Sequence, residues 1–404
     1  MVKCKSAFVR GMKLKISELG KVITGNTPSK KIKEFWDKDD VGFVKPDIIS
    51  DEHIVKIKSE DCNEFISNAA ISKARIVPKN SIFVTCIGNI GKIGVATENL
   101  AFNQQINAII PNENVNLDYL CYAIFANKTR LQDIANAPIV PLLNKSQFSE
   151  FELEFDMDIN TQTRIVHELN TVSNIILKYK QELLLLDELV RARFVEMFGD
   201  PMINPYEWKV INISEVLRAK ASNGFFSRRE DYCDDGNVEV LGVANVVNRM
   251  YSQVVDLPRT NANEKDIEKF EVKYGDMLFC RSSLVAEGIG KASIIPEGVQ
   301  TNILFECHVI RLPLDLDKCV PEFLQTLSTT KFFRNQIISK SKTATMTTIG
   351  QDGILKTNII LPPIEKQKEY YNFVKQIDKS RSRIQKSLEA SQELFDSLMQ
   401  EYFG

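Results

Sequence analysis

The chain states one pattern twice, and that constrains its architecture before any single element is assigned. Glu188-Leu189 and Glu196-x-Phe198-Gly199 close a long helical stretch in the first half, and Glu393-Leu394 and Glu401-x-Phe403-Gly404 close one in the second. The same spacing carries Gln162 onto Gln367 and Ile165 onto Tyr370. Near the start of each half, Ile16-Ser17-Glu18-Leu19 returns as Ile213-Ser214-Glu215-Val216. The period is about half the chain, far longer than the ~20–50 residues of a solenoid repeat. Each copy is therefore a domain, and 404 residues give each one enough chain to bury its own core. Two similar heads on two similar stems suit a target that itself has two halves.

The stems carry the most regular pattern. Ile165, Leu169, Val172, Ile176, Tyr179, Leu183, Leu186 and Val190 fall alternately four and three apart. A seven-residue apolar period sustained through about four heptads predicts a coiled coil, because a helix packed only on its own domain drifts toward 3.6. The second stem repeats the seam at Tyr370, Val374, Ile377, Ile384, Leu388, Phe395, Leu398 and Tyr402, with Arg381 and Ser391 in seam positions. One seam lies mid-chain and the other at the end, so antiparallel pairing of the two stems would set the heads at opposite ends of a rod.

Each head mixes short strands and helices without the alternation of a doubly wound sheet. Ser81 to Cys86 reads as a buried strand, and its counterpart is Asp276 to Arg281. Glycine turns follow at Gly91-Lys92 and Gly290-Lys291. Asn103-Gln104-Gln105 then leads into Ile106 to Pro111, matched by Asn302 leading into Cys307 to Arg311. Short helices are predicted at Leu117 to Asn127 and Pro321 to Thr329.

Composition excludes several classes. No stretch approaches the ~20 apolar residues of a membrane span, and the first residues lack a signal peptide's apolar core. A cytoplasmic protein with no membrane contact is expected, its scattered cysteines reduced. His53, His167 and His308 stand far apart and no metal-ligand spacing occurs, so no metal site is expected. Gly88-x-x-Gly91-Lys92 and Gly288-x-Gly290-Lys291 lack the spacing and the Ser/Thr of a phosphate loop. Asp266, Glu271 and Lys273 form a loose nuclease-like set without an equivalent in repeat one, and Asn204-Pro205-Tyr206 falls short of an amino-methyltransferase signature. No nucleophile–base arrangement stands out, and no catalytic residue is assigned.

Net charge is only −2, but its distribution is uneven. Lys3, Lys5, Arg10, Lys13, Lys15, Lys21, Lys30, Lys31 and Lys33 face Glu18 alone in the first part of the chain. Lys331, Arg334, Lys340 and Lys342 form an acid-free run in the second. Local positive faces on a neutral body fit surfaces that track phosphates. Polar side chains of the base-reading and phosphate-reading types also gather on predicted turns. In repeat one they are Lys21, Thr24, Asn26, Thr27, Lys30, Lys31, Lys45, Asn89, Lys92, Gln104 and Gln105, with Trp36 and Asn103 nearby. In repeat two they are Asn223, Arg228, Arg229, Asn245, Asn248, Arg249, Arg281, Ser282, Ser283, Lys342, Thr343 and Thr345.

In this order the features resemble the specificity subunit of a type I restriction–modification enzyme. The resemblance spans nearly the whole chain. It is carried by Ile16-Ser17-Glu18-Leu19 followed by Gly25-x-Thr27-Pro28-Ser29, then Gly88-x-x-Gly91-x-x-Gly94 and Asn103-Gln104-Gln105. Leu361-Pro362-Pro363-x-Glu365-x-Gln367, opening the terminal helix, and the two helix ends complete it. Repeat one departs with Phe155-Asp156-Met157-Asp158-Ile159-Asn160 at its junction, and repeat two lacks the Thr-Pro-Ser run.

The resemblance implies an α+β fold: a tandem repeat of two mixed α/β target-recognition domains, residues 1–158 and 203–363. Two long helices forming an antiparallel coiled coil, in residues 159–202 and 364–404, would separate them. It implies a non-catalytic subunit that binds double-stranded DNA, each domain reading one half of a bipartite site. Partners would be two methyltransferase subunits and, in the restricting complex, two restriction subunits. No cofactor is expected in this subunit; S-adenosylmethionine belongs to the methyltransferase partner, ATP and Mg to the restriction partner. The alternatives are a methyltransferase or nuclease with its own activity, and a coiled-coil scaffold unrelated to DNA.

Overall fold

The computed structural model describes residues 11–135 and 140–404, so Lys3, Cys4, Lys5 and Arg10 lie outside the described residues. The chain forms two compact units, residues 1–179 with 387–404, and residues 180–386.

In the first unit the strands β1 (Gly20–Thr24), β2 (Val55–Ile57), β3 (Ile82–Thr85), β4 (Ile93–Ala96) and β5 (Ile106–Pro111) form one sheet in the order β1-β5-β3-β4-β2. Its pairings are antiparallel except β4 with β2. Every residue of β3 and β4 is buried, the mark of a strand covered on both faces, and this is why they read as apolar runs without alternation. A second sheet of four short strands includes Val41–Val44 and Leu100–Phe102, paired in parallel. Met12–Lys15 pairs antiparallel with Glu152–Phe155, which leads into the central helix.

The second unit repeats the frame. β6 (Ser222–Asn223), β7 (Asp276–Cys280), β8 (Ala292–Ile294) and β9 (Val309–Pro313) pair in the order β6-β9-β7-β8. A parallel bridge from Tyr251 to Ile294 stands where β2 meets β4 in the first unit. Lys209–Asn212 pairs with Asn358–Leu361 and leads into the C-terminal helix.

The repeated motifs acquire physical reasons. In Ile-Ser-Glu the glutamate folds back to cap the turn it opens. Glu18 accepts from the Lys15 N–H at 2.7 Å, and Glu215 from the Asn212 N–H at 3.0 Å. The repeated glutamine ties each long helix to its head. Gln162 accepts from the Asn116 N–H at 2.8 Å and donates to the Asp156 carbonyl at 2.6 Å. Gln367 accepts from the Val320 N–H at 2.9 Å and donates to the Pro362 carbonyl at 2.8 Å. Both amides are fully buried, where an unmet hydrogen bond would be costly.

The two long helices, Ile159–Phe198 and Ile364–Phe403, contain 40 residues each and would each run ~60 Å. They pack together antiparallel. In the first unit Tyr402 of the C-terminal helix donates to Glu168 of the central helix. In the second unit Arg381 meets Asp187 at 2.6 Å while Arg193 meets Glu369 at 3.3 Å, so numbers rise on one helix as they fall on the other. Ile165, Leu169, Val172, Ile176, Val190, Tyr370, Val374 and Phe395 of the seam are buried. Tyr179, Leu183, Leu186, Ile377, Ile384 and Leu388 are half-buried. Arg381 holds its seam position because Asp187 and Asp378 neutralise it. The sequence reading ends the first seam at Val190, but burial continues through Phe194, Met197 and Phe198. There Phe194 and Phe198 close around Phe323 and Tyr370, with ring centroids 4.8–5.7 Å apart. No helix among the described residues is long and apolar enough to cross a membrane.

Candidate nucleic-acid interface

Strand register brings the sequence candidates of repeat one to one end of its sheet. Thr24 at the end of β1 pairs with Asn107 at the start of β5, Ile106 with Thr85 at the end of β3, and Val84 with Ile93 at the start of β4. The loops leaving that end carry Thr24, Asn26 and Thr27, Asn89 and Lys92, and Gln104 and Gln105. They are tied together by their own side chains. The Thr24 hydroxyl donates to Asn107 Oδ1 at 2.6 Å and the Thr27 hydroxyl to Gln104 Oε1 at 2.7 Å. Asn26 donates to the Lys73 carbonyl and accepts from the Arg75 N–H, at 2.6 and 2.7 Å. Gly25 permits this closeness, since a Cβ there would lie 2.1 Å from the Asn103 carbonyl oxygen.

Arg75, exposed and bound through Nη1 to the Thr24 carbonyl at 2.5 Å, belongs to this cluster and was missed by sequence reasoning. It lies 49 residues from Asn26, and no local signal links them. Lys30 and Lys45 converge on Glu64, and the hydrogen bond from Lys45 holds that carboxyl below the usual range despite partial burial. Lys30 also lies 5.2 Å from the centroid of the Trp36 ring. Lys31 is exposed. Lys21, at the opposite end of β1, stands apart from the cluster.

Repeat two builds the same end with different side chains. The N–H groups of Gly25 and Asn26 donate to the Ile106 and Phe102 carbonyls at 3.1 and 3.0 Å; those of Gly224 and Phe225 donate to Val309 and Phe305 at 3.2 and 2.7 Å. Cys86 N–H bonds Gln105 as Arg281 N–H bonds His308, each at 2.8 Å. Gly91 and Gly290, both at positive φ, close the following turns onto Thr85 and Cys280. Thus Asn26 corresponds to Phe225, Gln105 to His308, and Cys86 to Arg281. The same bonds correct one sequence alignment: Glu306, not Asn302, stands where Asn103 does, since each donates its N–H to the neighbouring parallel strand, at Val44 and Leu241.

Ser282–Ser283 continues from Arg281 into a small sheet with Thr347–Thr348 and Lys342–Thr343, so these candidates from distant segments do meet. Thr345 is exposed in the connecting turn. Ser282 Oγ lies 3.3 Å from His308 Nδ1. Exposed Phe226 and Leu284 stand beside these residues in the chain and were also missed. Asn223 ends β6. Asn245 caps the short helix Val243–Val246 by accepting from the Gly242 N–H, while Asn248 accepts from Lys291 at 2.6 Å. Arg249 donates to Gln253 Oε1 at 2.9 Å. Arg228 and Arg229 are exposed on a separate turn, where Arg228 is 3.4 Å from Glu230.

The nuclease-like set is occupied structurally. Asp266 and Asn263 cap the helix Glu264–Phe270, and Glu271 accepts from the Asn302 N–H at 3.0 Å. Among the described residues no group of three His, Cys, Asp or Glu could hold a metal ion.

Two copies of one loop-bearing frame, each offering a different polar surface, define a tandem recognition protein. The family model described as the type I restriction modification DNA specificity domain matches residues 11–185 and 205–392, and the chain belongs to that family. It is a non-catalytic specificity subunit with two recognition domains. It is 23% identical over 409 aligned positions to the MjaIX specificity subunit of Methanocaldococcus jannaschii, covering 95% of this chain and 90% of that one. Over 149 residues it is 35% identical to the HindI specificity subunit of Haemophilus influenzae, covering 36% of this chain and 32% of that one. The fold is similar to the solved S subunit of a type I restriction-modification system from M. genitalium, with TM-score 0.58 at 13% identity, covering 100% of this chain and 98% of that one.

Proposed function

We propose that each head reads one half of a bipartite double-stranded DNA site through the loops at its sheet end. The observation that carries this reading is the pairing of an identical backbone frame with unlike side chains: Asn26, Gln105 and Cys86 in one head, Phe225, His308 and Arg281 in the other. A frame that holds loops while leaving their side chains free to vary is what two independent readers of different sequences require. Arginine forks match guanine, Asn and Gln amides match adenine, and lysines take phosphates.

The domain limits in this reading are residues 1–158 and 203–363 for the readers and 159–202 and 364–404 for the helical spacers. The helices set the distance between half-sites. Leu184, Leu185 and Leu189 expose apolar side chains outside the seam, which suits docking of protein partners. Those partners are two methyltransferase subunits, which bring S-adenosylmethionine, and two restriction subunits, which bring ATP and Mg. The complex works in the cytoplasm.

The test is an exchange of residues 1–158 for the corresponding head of a related protein, followed by mapping of methylated adenines in host DNA. One half of the methylated motif should change and the other stay. A change in both halves would refute independent reading.

A further inference from the structure

The second unit contains a cavity of about 370 Å³ whose wall includes Arg191, Arg249, Lys291 and Arg334, with Asp187 as the one carboxylate. Asp187 is already engaged by Arg381 at 2.6 Å. The cations are not: Lys291 donates to the neutral amide of Asn248, Arg249 to that of Gln253, and Arg191 makes no ion pair among the described residues. Arg334 donates through Nη2 to the Ile289 and Glu287 carbonyls at 2.6 and 3.0 Å, while its Nη1 is buried without a hydrogen-bond partner.

Repeat one shows that the frame does not require this charge. There the carbonyl of Ile90, equivalent to Ile289, is met at 3.1 Å by the neutral amide of Gln132. The turn lysine, Lys92, lies near Asp51, whose carboxylate also binds Lys128 and Asn89 and is held below the usual range by those contacts. One copy of the fold is neutralised at this place; the other keeps an excess of positive charge around the cavity.

We propose that this cavity binds a phosphate group. Lys291 would supply a point charge, and Arg191, Arg249 and Arg334 the surrounding positive field. Its volume falls within the about 300–1,000 Å³ of small-ligand sites, which leaves room for a phosphate group. Lys291 lies on a turn at the reading end of the sheet, which favours a backbone phosphate of bound DNA; this source rests on the reading proposed above. Free phosphate or pyrophosphate carries the same chemistry.

Arg334→Gln installs the side chain that repeat one uses and retains the carbonyl contact. Asn248→Asp restores a carboxylate beside Lys291, and aspartate tolerates the positive φ of 61° at that position. Both are measured in the full chain assembled with its methyltransferase partner, on cognate and random duplexes across a salt series. Each variant should weaken both duplexes equally, roughly tenfold for a lost charged contact, and lower the salt slope by about one unit. In parallel, the melting temperature of the chain is followed with inorganic phosphate and with pyrophosphate. Stabilisation of the wild type but not the variants, with an unchanged DNA slope, would assign the pocket to the free anion. Unchanged slopes together with no phosphate effect overturn the proposal. If the wild-type complex binds no DNA, the DNA reading fails by itself, and the phosphate titration alone decides the pocket. Should Arg334→Gln fail to fold, Asn248→Asp carries the same test.

Discussion

Glu322 is a carboxylate in a place that disfavours one, and neutralising it should stabilise the protein in a pH-dependent way. It sits in the first turn of the helix Pro321–Thr329 and is 1% exposed. The Tyr251 hydroxyl donates to its Oε1 at 3.2 Å, while Oε2 is buried without a partner. Burial pushes its carboxyl up to about 7 from an ordinary 4.5; its own N–H and Tyr251 oppose this, and the Glu297 and Asp378 carboxylates add to it. The folded state therefore binds this proton more tightly than the unfolded chain. Stability from this group is fully present below pH 4.5 and is lost as pH rises toward about 7. At ~1.4 kcal/mol per pH unit, the folded state forfeits on the order of 3 kcal/mol above that window. Glu322→Gln keeps the shape and the acceptor for Tyr251 but carries no charge to bury. At pH 8 the variant should melt about 6–12 °C above the wild type, at about 2–4 °C per kcal/mol for a unit of this size. The advantage should shrink steadily toward pH 5. Differential scanning calorimetry of both proteins from pH 5 to pH 8.5 measures it. A difference that does not vary with pH, or a less stable variant at pH 8, would refute the reasoning.

Four further outcomes are expected. Inserting four residues near Tyr179 adds about one helical turn, ~6 Å, and should lengthen the spacer of the methylated motif while both half-sites stay the same. Gly25→Ala puts a methyl group 2.1 Å from the Asn103 carbonyl oxygen. It should cost roughly 1–3 kcal/mol of stability and impair recognition of the half-site read by repeat one more than the other, as read by methylation of half-site variants. Arg281→Ala should relax discrimination at one base pair by ~1–3 kcal/mol. Lys31→Ala should weaken all duplexes alike and lower the salt slope by about one unit, a larger effect than Lys30→Ala, because Lys30 is shared with Glu64. Titrations on cognate and single-mismatch duplexes separate these.

The duplicated plan and the paired stems were legible in the residues because both depend on periodicity. A heptad seam from Ile165 to Val190 and a glutamine recurring before each helix are local statements, and helices obey local rules. Burial of the seam and the reciprocal bonds of Gln162 and Gln367 follow from them. The candidate site was legible only as a collection of turn residues. Which turns share a sheet end depends on strand order and register, set by pairing between residues far apart in the chain. That pairing unites Ser282 with Thr348, leaves Lys21 at the wrong end of its strand, and brings in Arg75. The unmet charge of Arg334 belongs to this second kind of fact. In sequence it is one more arginine in a basic run, and only packing decides that its counterpart in repeat one is a neutral glutamine. Local periodicity is written along the chain, whereas the electrostatic environment of a side chain is a sum over neighbours that folding alone assembles.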